Sequence, residues 1–354
     1  MAIVIMQDGI GTGSLSSQSG DHGEPIDVNQ LERIEVVRGP ATLLYGSSAI
    51  GGVVNAGLPS RRAPTRQPRR TRLRHRHRRH HNGLAGSSAG FEFGVGNWQF
   101  WASGGGQRTG NYNTPVGEIL NSQTRMEQTQ GGLGYYGKKA FANFNYSFTD
   151  SLYGVPYDRT NPDAEIPQLQ MRRNMYRGTF GLHDVGFIDE ITAKINYSDY
   201  NHQEIVEQEV ETQFFNKVFT YRVQFDQKKK GRSSGSFGFS GTHRDYEAIG
   251  EESLTPPTLQ NNIALFTVQN IDFETGTRVQ LGGPRRTQFL RSAWPGQTFL
   301  HRIFRLRRHQ PANLERRRTR RQLHAFLSRA SVGGVVQQRS ATLETAPSKS
   351  ATPT

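Results

Sequence analysis

The sequence predicts an all-β chain, an antiparallel β-barrel wall that follows a small α+β unit, and three observations carry that expectation. From Phe91 to Gly283 apolar and polar residues alternate with period two. The strands so defined are joined by alternately short and long connections, the layout of a barrel. The longest purely apolar run, Met1 to Met6, is far below the roughly 18 residues of a spanning helix, so any membrane crossing is made by strands. At 354 residues the chain can bury a core, and with no cysteine it has neither disulfides nor a thiolate metal site.

The segment Glu32 to Asn55, ERIEVVRGPATLLYGSSAIGGVVN, reads as strand, corner, short turn and strand. Ile34 and Val36 fall on one face of the first strand, Glu35 and Val37 on the other. Pro40 turns Gly39 away from helix and ends that strand. Gly46, Gly51 and Gly52 permit positive φ or close backbone approach, as in a small unit threaded inside a larger one. By residue type alone this is equally a strand, turn and strand of a soluble α+β protein. As a whole, the stretch resembles the closing segment of the plug in TonB-dependent outer-membrane receptors.

That resemblance implies a barrel of about 22 strands filled by an N-terminal plug. Such a protein sits in the cell outer membrane, among its lipids, and takes up siderophores, metal complexes, cobalamin or glycans. TonB, ExbB and ExbD drive the uptake. The resemblance also implies that Glu32, Glu35 and Arg38 lie at the contact between plug and barrel, although these charges would equally solvate an exposed strand. Ile3 to Gly9 is similar to a strand and turn from the middle of a plug, so the signal peptide, the TonB box and the first half of the plug are expected to be absent. Met1 to Met6, with no basic start and no cleavage site, is not a secretory signal.

The formal charge of +14 is concentrated in two segments. Residues 61–81 hold 10 Arg, 4 His and no acid, and residues 284–329 hold 13 Arg and one Glu. With both set aside, 21 basic and 29 acidic residues remain, a net of −8. Neither segment has a lysine, and each begins where a strand should continue, after Asn55 and after Leu281. Arginine, proline and alanine are what GC-rich DNA encodes out of frame, so residues 57–82 and 284–354 are expected to be frame-shifted translations. Translating the other two frames of the gene tests this hypothesis, which requires strand patterning to continue in one of them. A disordered basic linker and tail, or an arm that folds on nucleic acid, are the competing readings.

Between those segments lie five candidate hairpins. Phe91 to Gly94 and Trp98 to Ser103 flank Gly96-Asn97, and Gly131 to Tyr136 and Phe141 to Phe148 flank Gly137 to Lys139. Tyr176 to His183 pairs with Ile191 to Tyr200, Phe219 to Gln227 with Ser234 to Tyr246, and Asn262 to Gln269 with Asp272 to Leu281. Ile191, Ala193, Ile195 and Tyr197 make one greasy face, with Thr192, Lys194, Asn196 and Ser198 opposite. In a soluble sandwich the greasy face looks inward, and in a barrel it looks out to lipid; periodicity does not choose. Trp98, Trp101, Tyr135, Tyr136, Tyr197, Tyr200, Tyr221 and Tyr246 are candidates for an interfacial belt. The long connections 108–128, 150–171, 201–213 and 248–261 are expected to face outside.

No enzyme site is expected. The serines of GSLSS and GSSAG have no nucleophile-elbow arrangement, and no phosphate loop with its lysine is present. One polar cluster stands out, Ser19 to Glu24, with the acidic stretch that holds His202, Glu204, Glu207, Glu209 and Glu211. Imidazole with carboxylates suits Zn²⁺ and similar ions. QDGIGTGSLSSQSGDHGEP also resembles the plug of receptors associated with zinc uptake, which implies metal binding by Asp21 and His22 with His202 or Glu204 as partners from a loop. A solvated loop with an incidental histidine is the plainer alternative.

The expected organisation is therefore a partial plug at 1–56, an arginine-rich non-native or linker segment at 57–82, the first part of an incomplete antiparallel transmembrane barrel at 83–283, and an arginine-rich then Ser/Thr/Ala-rich tail at 284–354. The expected function is TonB-dependent uptake of a metal, metal complex or other small ligand, with no bound cofactor, zinc as a candidate cargo and no nucleic-acid partner. With about ten strands and no TonB box, the chain as written is expected to be a nonfunctional fragment. A soluble β-rich binding protein with basic nucleic-acid-binding arms and a passive porin-like barrel are the alternatives.

Overall fold

A computed structural model of the chain describes residues 3–16, 21–24, 26, 31, 33–37, 52–57, 70–74, 83–272 except 159, 162, 163 and 252, then 278–294, 297–298 and 302–304. Four strands form a small N-terminal sheet: β1 Ile3–Gln7, β2 Ile10–Gly11, β3 Arg33–Val37 and β4 Gly52–Gly57. Their order is β2-β1-β4-β3, with β1 and β4 parallel and the outer pairs antiparallel. Met6 and Val53 form its core with Val4 and Val37 packed on them, while Leu31 and Ala56 pack with Ile26. No helix occurs among the described residues of this unit. Residues 38–51, which include the short turn expected at Ala41 to Tyr45, lie outside the described residues.

Every remaining element is also a strand. In chain order these are β5 Arg70–Arg74, β6 Ala85–Val95, β7 Trp98–Thr109, β8 Tyr112–Thr114, β9 Gly117–Ile119, β10 Thr124–Tyr136, β11 Ala140–Gly154 and β12 Gln168–Val185. They continue as β13 Ile188–Val206, β14 Glu209–Gln227, β15 Ser233–Gly250, β16 Thr258–Asp272, β17 Arg278–Trp294, β18 Gln297–Thr298 and β19 Arg302–Phe304. Apart from the small β8-β9 hairpin they form one antiparallel sheet, ordered from β5 to β17 almost strictly in sequence, with the short β18 and β19 both paired to β17. The sheet is open, so this is an incomplete barrel wall.

Parity decides what each face meets. On β13 the even residues Asn196, Ser198, Tyr200, His202 and Glu204 are buried, and the odd residues Ile195 and Tyr197 are exposed. Register carries the same division across the sheet. Tyr146, Tyr176, Tyr197 and Phe219 stand side by side on the outer face, and Phe144, Ile195 and Tyr221 form a row below them. Phe180, Ala193, Val223, Phe239 and Leu265 follow, then Leu182, Ile191, Phe225 and Phe237. This apolar band covers seven residues of strand, roughly 20 Å, close to the apolar band of about 25 Å on outer-membrane barrels. Above it the outward row turns polar across its middle, with Asn174, Asp199, Lys217 and Asp245 in register between Phe148 and Leu259.

Large apolar side chains such as Phe180 at 48% and Leu265 at 57% are exposed there, and the small sheet seats against the opposite face. A sandwich would have buried them. The outward greasy face therefore selects the barrel, which periodicity alone left open.

The expected elements need correction in several places. Residues 201–213, expected as a loop, continue β13 and β14 to a two-residue turn at Glu207-Gln208, so His202 and Glu204 sit on a strand. Their outward neighbours Asn201 and Gln203 lie above the apolar band and are polar, which erased the alternation that marks a strand. Tyr200, Tyr246 and Tyr136 are buried and do not join a belt, because they have inward parity. Trp101 has the parity opposite to exposed Trp98 and packs on the inner side against Gly132. β17 runs past the boundary expected at Gly283 to Trp294, because β16 offers pairing partners as far as Thr258, opposite Ser292. Within the segment expected as a linker, Arg70–Arg74 pairs with β6.

Candidate functional site

The site is built where the N-terminal segment climbs the inner face of β11 to β14. Asp8-Gly9 joins β1 to β2 with φ of 53° and 80°, the turn that an Asp-Gly pair adopts readily. Gly9 donates its N–H to Asn55 Oδ1 at 2.8 Å, and Asn55 Nδ2 donates to Glu35 Oε2 at 2.9 Å, so the turn is tied to β4 and β3. Arg177 Nη1 reaches the Asp8 carboxylate at 2.7 Å, and Lys194 Nζ donates to its carbonyl at 2.9 Å.

Higher up the wall, Ser198 Oγ donates to the Thr12 carbonyl at 3.0 Å and Asn216 Nδ2 to the Gly13 carbonyl at 2.7 Å. Gly13 has φ +73°, and a Cβ there would lie 2.8 Å from Ser198 Oγ. Only glycine fits. Leu15, fully buried, then inserts among Met171, Tyr200, Phe214, Tyr246 and Ala248. Burying one leucine contributes roughly 1.5–3 kcal/mol, so this knob fixes the height of the segment on the wall.

Above Leu15 the segment carries its charged residues. Glu24 accepts from Arg173 Nη1 at 2.6 Å and from Thr12 Oγ1 at 2.9 Å. Arg173 is 3% exposed. Removing either partner of such a buried pair leaves an uncompensated charge, at about 3–5 kcal/mol. His22 Nε2 lies 3.1 Å from Glu204 Oε1, and its ring sits 4.4 Å from that of His202. The Phe214 ring stands in T-shaped contact with both imidazoles. Tyr200 Oη pairs with His202 Nδ1 at 2.9 Å, while His202 Nε2 is buried with no hydrogen-bond partner.

His22, His202 and Glu204 each offer one ligand atom, all within 4.8 Å of one another. These residues lie above the apolar band, outside the membrane-spanning part of the strands. Burial opposes protonation of His22, but the bond to Glu204 and the charges of Asp21 and Glu204 outweigh it and raise its pKa. His202 is driven the other way, to about 3, by burial and by His22 beside it, with Asp21 in partial opposition. One imidazole thus favours a proton and pairs with Glu204, and the other is held neutral with a free nitrogen.

The tautomer that donates Nδ1–H to the Tyr200 hydroxyl leaves the His202 Nε2 lone pair free to bind a metal. A tetrahedral zinc site has ligand atoms ~3.3 Å apart, so closure on one ion needs a shift of about 1–2 Å by the farthest of the three.

Of the residues singled out in the sequence, His22, His202 and Glu204 come together. Asp21 acts on both imidazoles through its charge, and its carbonyl accepts from Tyr153 Oη at 3.2 Å, but it is not in the three-residue group. Glu35 bonds Arg33 at 2.7 Å and Asn55 within the small sheet. Glu32 and Arg38 lie outside the described residues. The contacts sequence reasoning missed are Asp8, Thr12, Gly13 and Leu15 on one side, with Tyr153, Arg173, Arg177, Lys194, Ser198 and Asn216 on the other; Glu24 lay in the polar cluster read from the sequence, without its partner Arg173. Parity carried the signal: Arg173 and Arg177 share a face of β12 with Met171 and Met175, opposite Tyr176 and Phe180.

A small sheet carrying charged and histidine side chains, seated against an open antiparallel wall with a greasy exterior, is a plug-and-barrel architecture. Residues 2–53 match the family model described as the TonB-dependent Receptor Plug Domain. Over 53 residues the chain is 43% identical to the vitamin B12 transporter BtuB of Photobacterium profundum, a stretch covering 15% of this chain and 9% of that one. Among solved structures, the copper transporter OprC superposes with TM-score 0.66 at 12% identity, over 82% of this chain and 48% of its own. A point mutant of the ferric enterobactin receptor PfeA of Pseudomonas aeruginosa gives 0.61 at 16%, over 83% and 52%. The alcaligin outer-membrane receptor FauA of Bordetella pertussis gives 0.58 at 11%, over 85% and 49%. Residues 2–53 are thus similar to a TonB-dependent receptor plug, the wall that follows has the fold of these receptors' barrels, and the chain spans about half the length of the solved receptors.

Proposed function

We propose that this chain is the plug-bearing part of an outer-membrane receptor that takes up a small ligand through TonB-dependent energy coupling, and that the cargo is a divalent metal ion or its complex, zinc first. The receptor reading is supported by the plug match and by the wall's fold. The cargo reading rests on one observation, the convergence of His22, His202 and Glu204 in a buried seam. TonB, ExbB and ExbD are the partners this reading requires of the whole receptor.

The arrangement also supplies a way to let go. His22 belongs to the plug, and His202 and Glu204 belong to the wall. An ion bridging them is held by both bodies, and any plug movement that carries residues 21–24 off the wall divides its ligand set. Three protein ligands become one imidazole on one side and two groups on the other, which loses most of the affinity.

The test is a zinc titration of the full chain folded in detergent micelles, against a chromogenic chelator. One zinc per chain is expected, bound at least about tenfold more weakly by His22→Ala and by Glu204→Gln, with a smaller loss in Asp21→Ala. Unchanged affinity in the first two variants would remove metal as the cargo.

A further inference from the structure

Three neighbouring strands each hold a different part of the short stretch Asp21 to Glu24. The His22 side chain goes to β13, at Glu204 and His202, and the Glu24 carboxylate goes to β12, at Arg173. The backbone on both sides of His22 goes to β11, at a single hydroxyl: Gly23 donates its N–H to Tyr153 Oη at 2.8 Å, and Tyr153 Oη donates to the Asp21 carbonyl at 3.2 Å. Gly23 packs against the phenol, where a Cβ would stand 3.5 Å from both Cζ and Oη. A phenol can donate and accept at once, so this one group closes a clip around the residue that carries the imidazole.

We infer that Tyr153 is a positioning residue for the metal site, fixing the backbone at Asp21 and Gly23 so that His22 projects across β12 to Glu204 and His202. This role rests on the metal reading above. The Tyr153 hydroxyl bonds backbone at Gly23 and Asp21, not the ligand atoms. It acts on the chain that presents one of them, because the 21–23 backbone must be held before the imidazole can reach a partner two strands away. Asp21 enters the same clip through its carbonyl, which gives it a part in the site without making it a ligand.

The variant Tyr153→Phe keeps the ring that Gly23 rests on and deletes only the hydroxyl. In the full chain in micelles, with Co²⁺ as a spectroscopic stand-in for zinc, the parent should show the visible absorption of a low-coordinate site. Tyr153→Phe should weaken and shift that band and bind Co²⁺ about tenfold more weakly, with little change in the unfolding midpoint. A parent-like spectrum and affinity in the variant would overturn the assignment. If the parent itself binds no Co²⁺, the metal reading fails, and the clip is judged by modification of His22 with diethyl pyrocarbonate. Reaction at least about tenfold faster in Tyr153→Phe supports the positioning role, and an equal rate refutes it.

Discussion

At the scale of single residues, the two imidazoles of the seam oppose each other in their response to acid. His202 is fully buried, and its pKa falls from the ordinary 6.5 to about 3. Below pH 6.5 the unfolded chain takes up a proton there that the folded protein refuses. Its contribution to stability is therefore complete above that pH and is lost as pH falls toward 3. His22 is raised, so its contribution is complete below pH 6.5 and fades as pH rises through the folded value. In metal-free protein, His202→Gln should therefore flatten the acid limb. Between about pH 6 and 4 the variant should lose less stability than the parent, by up to about 1.4 kcal/mol per pH unit, in denaturant titrations at several pH values. Parallel curves for parent and variant would mean that His202 titrates normally in the fold. The side chains that make this seam are legible as chemistry, since an Asp-His pair and a His/Glu run are recognisable ligand types. Their partners are not, because Arg173, Arg177 and Lys194 become plug contacts only when strand parity and plug height are both known.

At the scale of elements, the turn between β13 and β14 is where sequence signals and structure part most clearly. Glu207 and Gln208 both have positive φ, 51° and 72°, the conformation of a type I′ hairpin turn that asparagine and glycine prefer. A sequence scan finds tight hairpins by those residues, so a turn built from Glu-Gln reads as the middle of a loop from 201 to 213. The short joints at Gly96-Asn97 and Gly137 to Lys139 carry their glycines, and the hairpins expected there form. Since a left-handed residue with a Cβ costs about 1–2 kcal/mol, Gln208→Gly should stabilise the protein by about 1 kcal/mol once the flexibility of glycine in the unfolded chain is subtracted. A rise in the denaturant midpoint with unchanged slope checks this. A fall would show that the Gln208 side chain makes a contact worth more than the strain. The position matters because this turn caps the strands that present His202, Glu204 and Phe214, so a stiffer turn should leave zinc affinity equal to or above the parent's.

At the scale of the whole molecule, strands and hairpins are legible because lipid-facing residues must alternate with lumen-facing ones. The edges of the sheet are not. Both ends of the sheet fall in the arginine-rich stretches: β5 lies within residues 57–82, and β17, which crosses into the segment that begins at 284, is paired on its far side, among the described residues, only by the short β18 and β19. Composition marks these stretches as foreign to a barrel, whereas backbone pairing to β6 and β16 extends the wall into them. An edge strand leaves one row of N–H and C=O groups without strand partners, and hydrocarbon supplies none. By contrast, β12, β13 and β14 each have two long neighbours and carry the plug on their inner face. Opening them requires breaking two ladders, the Leu15 cluster and the Arg173 and Arg177 pairs together. Amide hydrogen exchange of the full chain in micelles should therefore be slowest in β12 to β14, intermediate in β10, β11, β15 and β16, and fastest in β5 and β17. Equal protection from β5 to β17 would contradict an open sheet and mean that its two edges are sealed, by each other or by a second chain. Protection that fell in β12 to β14 on substituting Arg173 with leucine, and not on substituting exposed Arg125, would place the plug contacts among the forces that hold the wall.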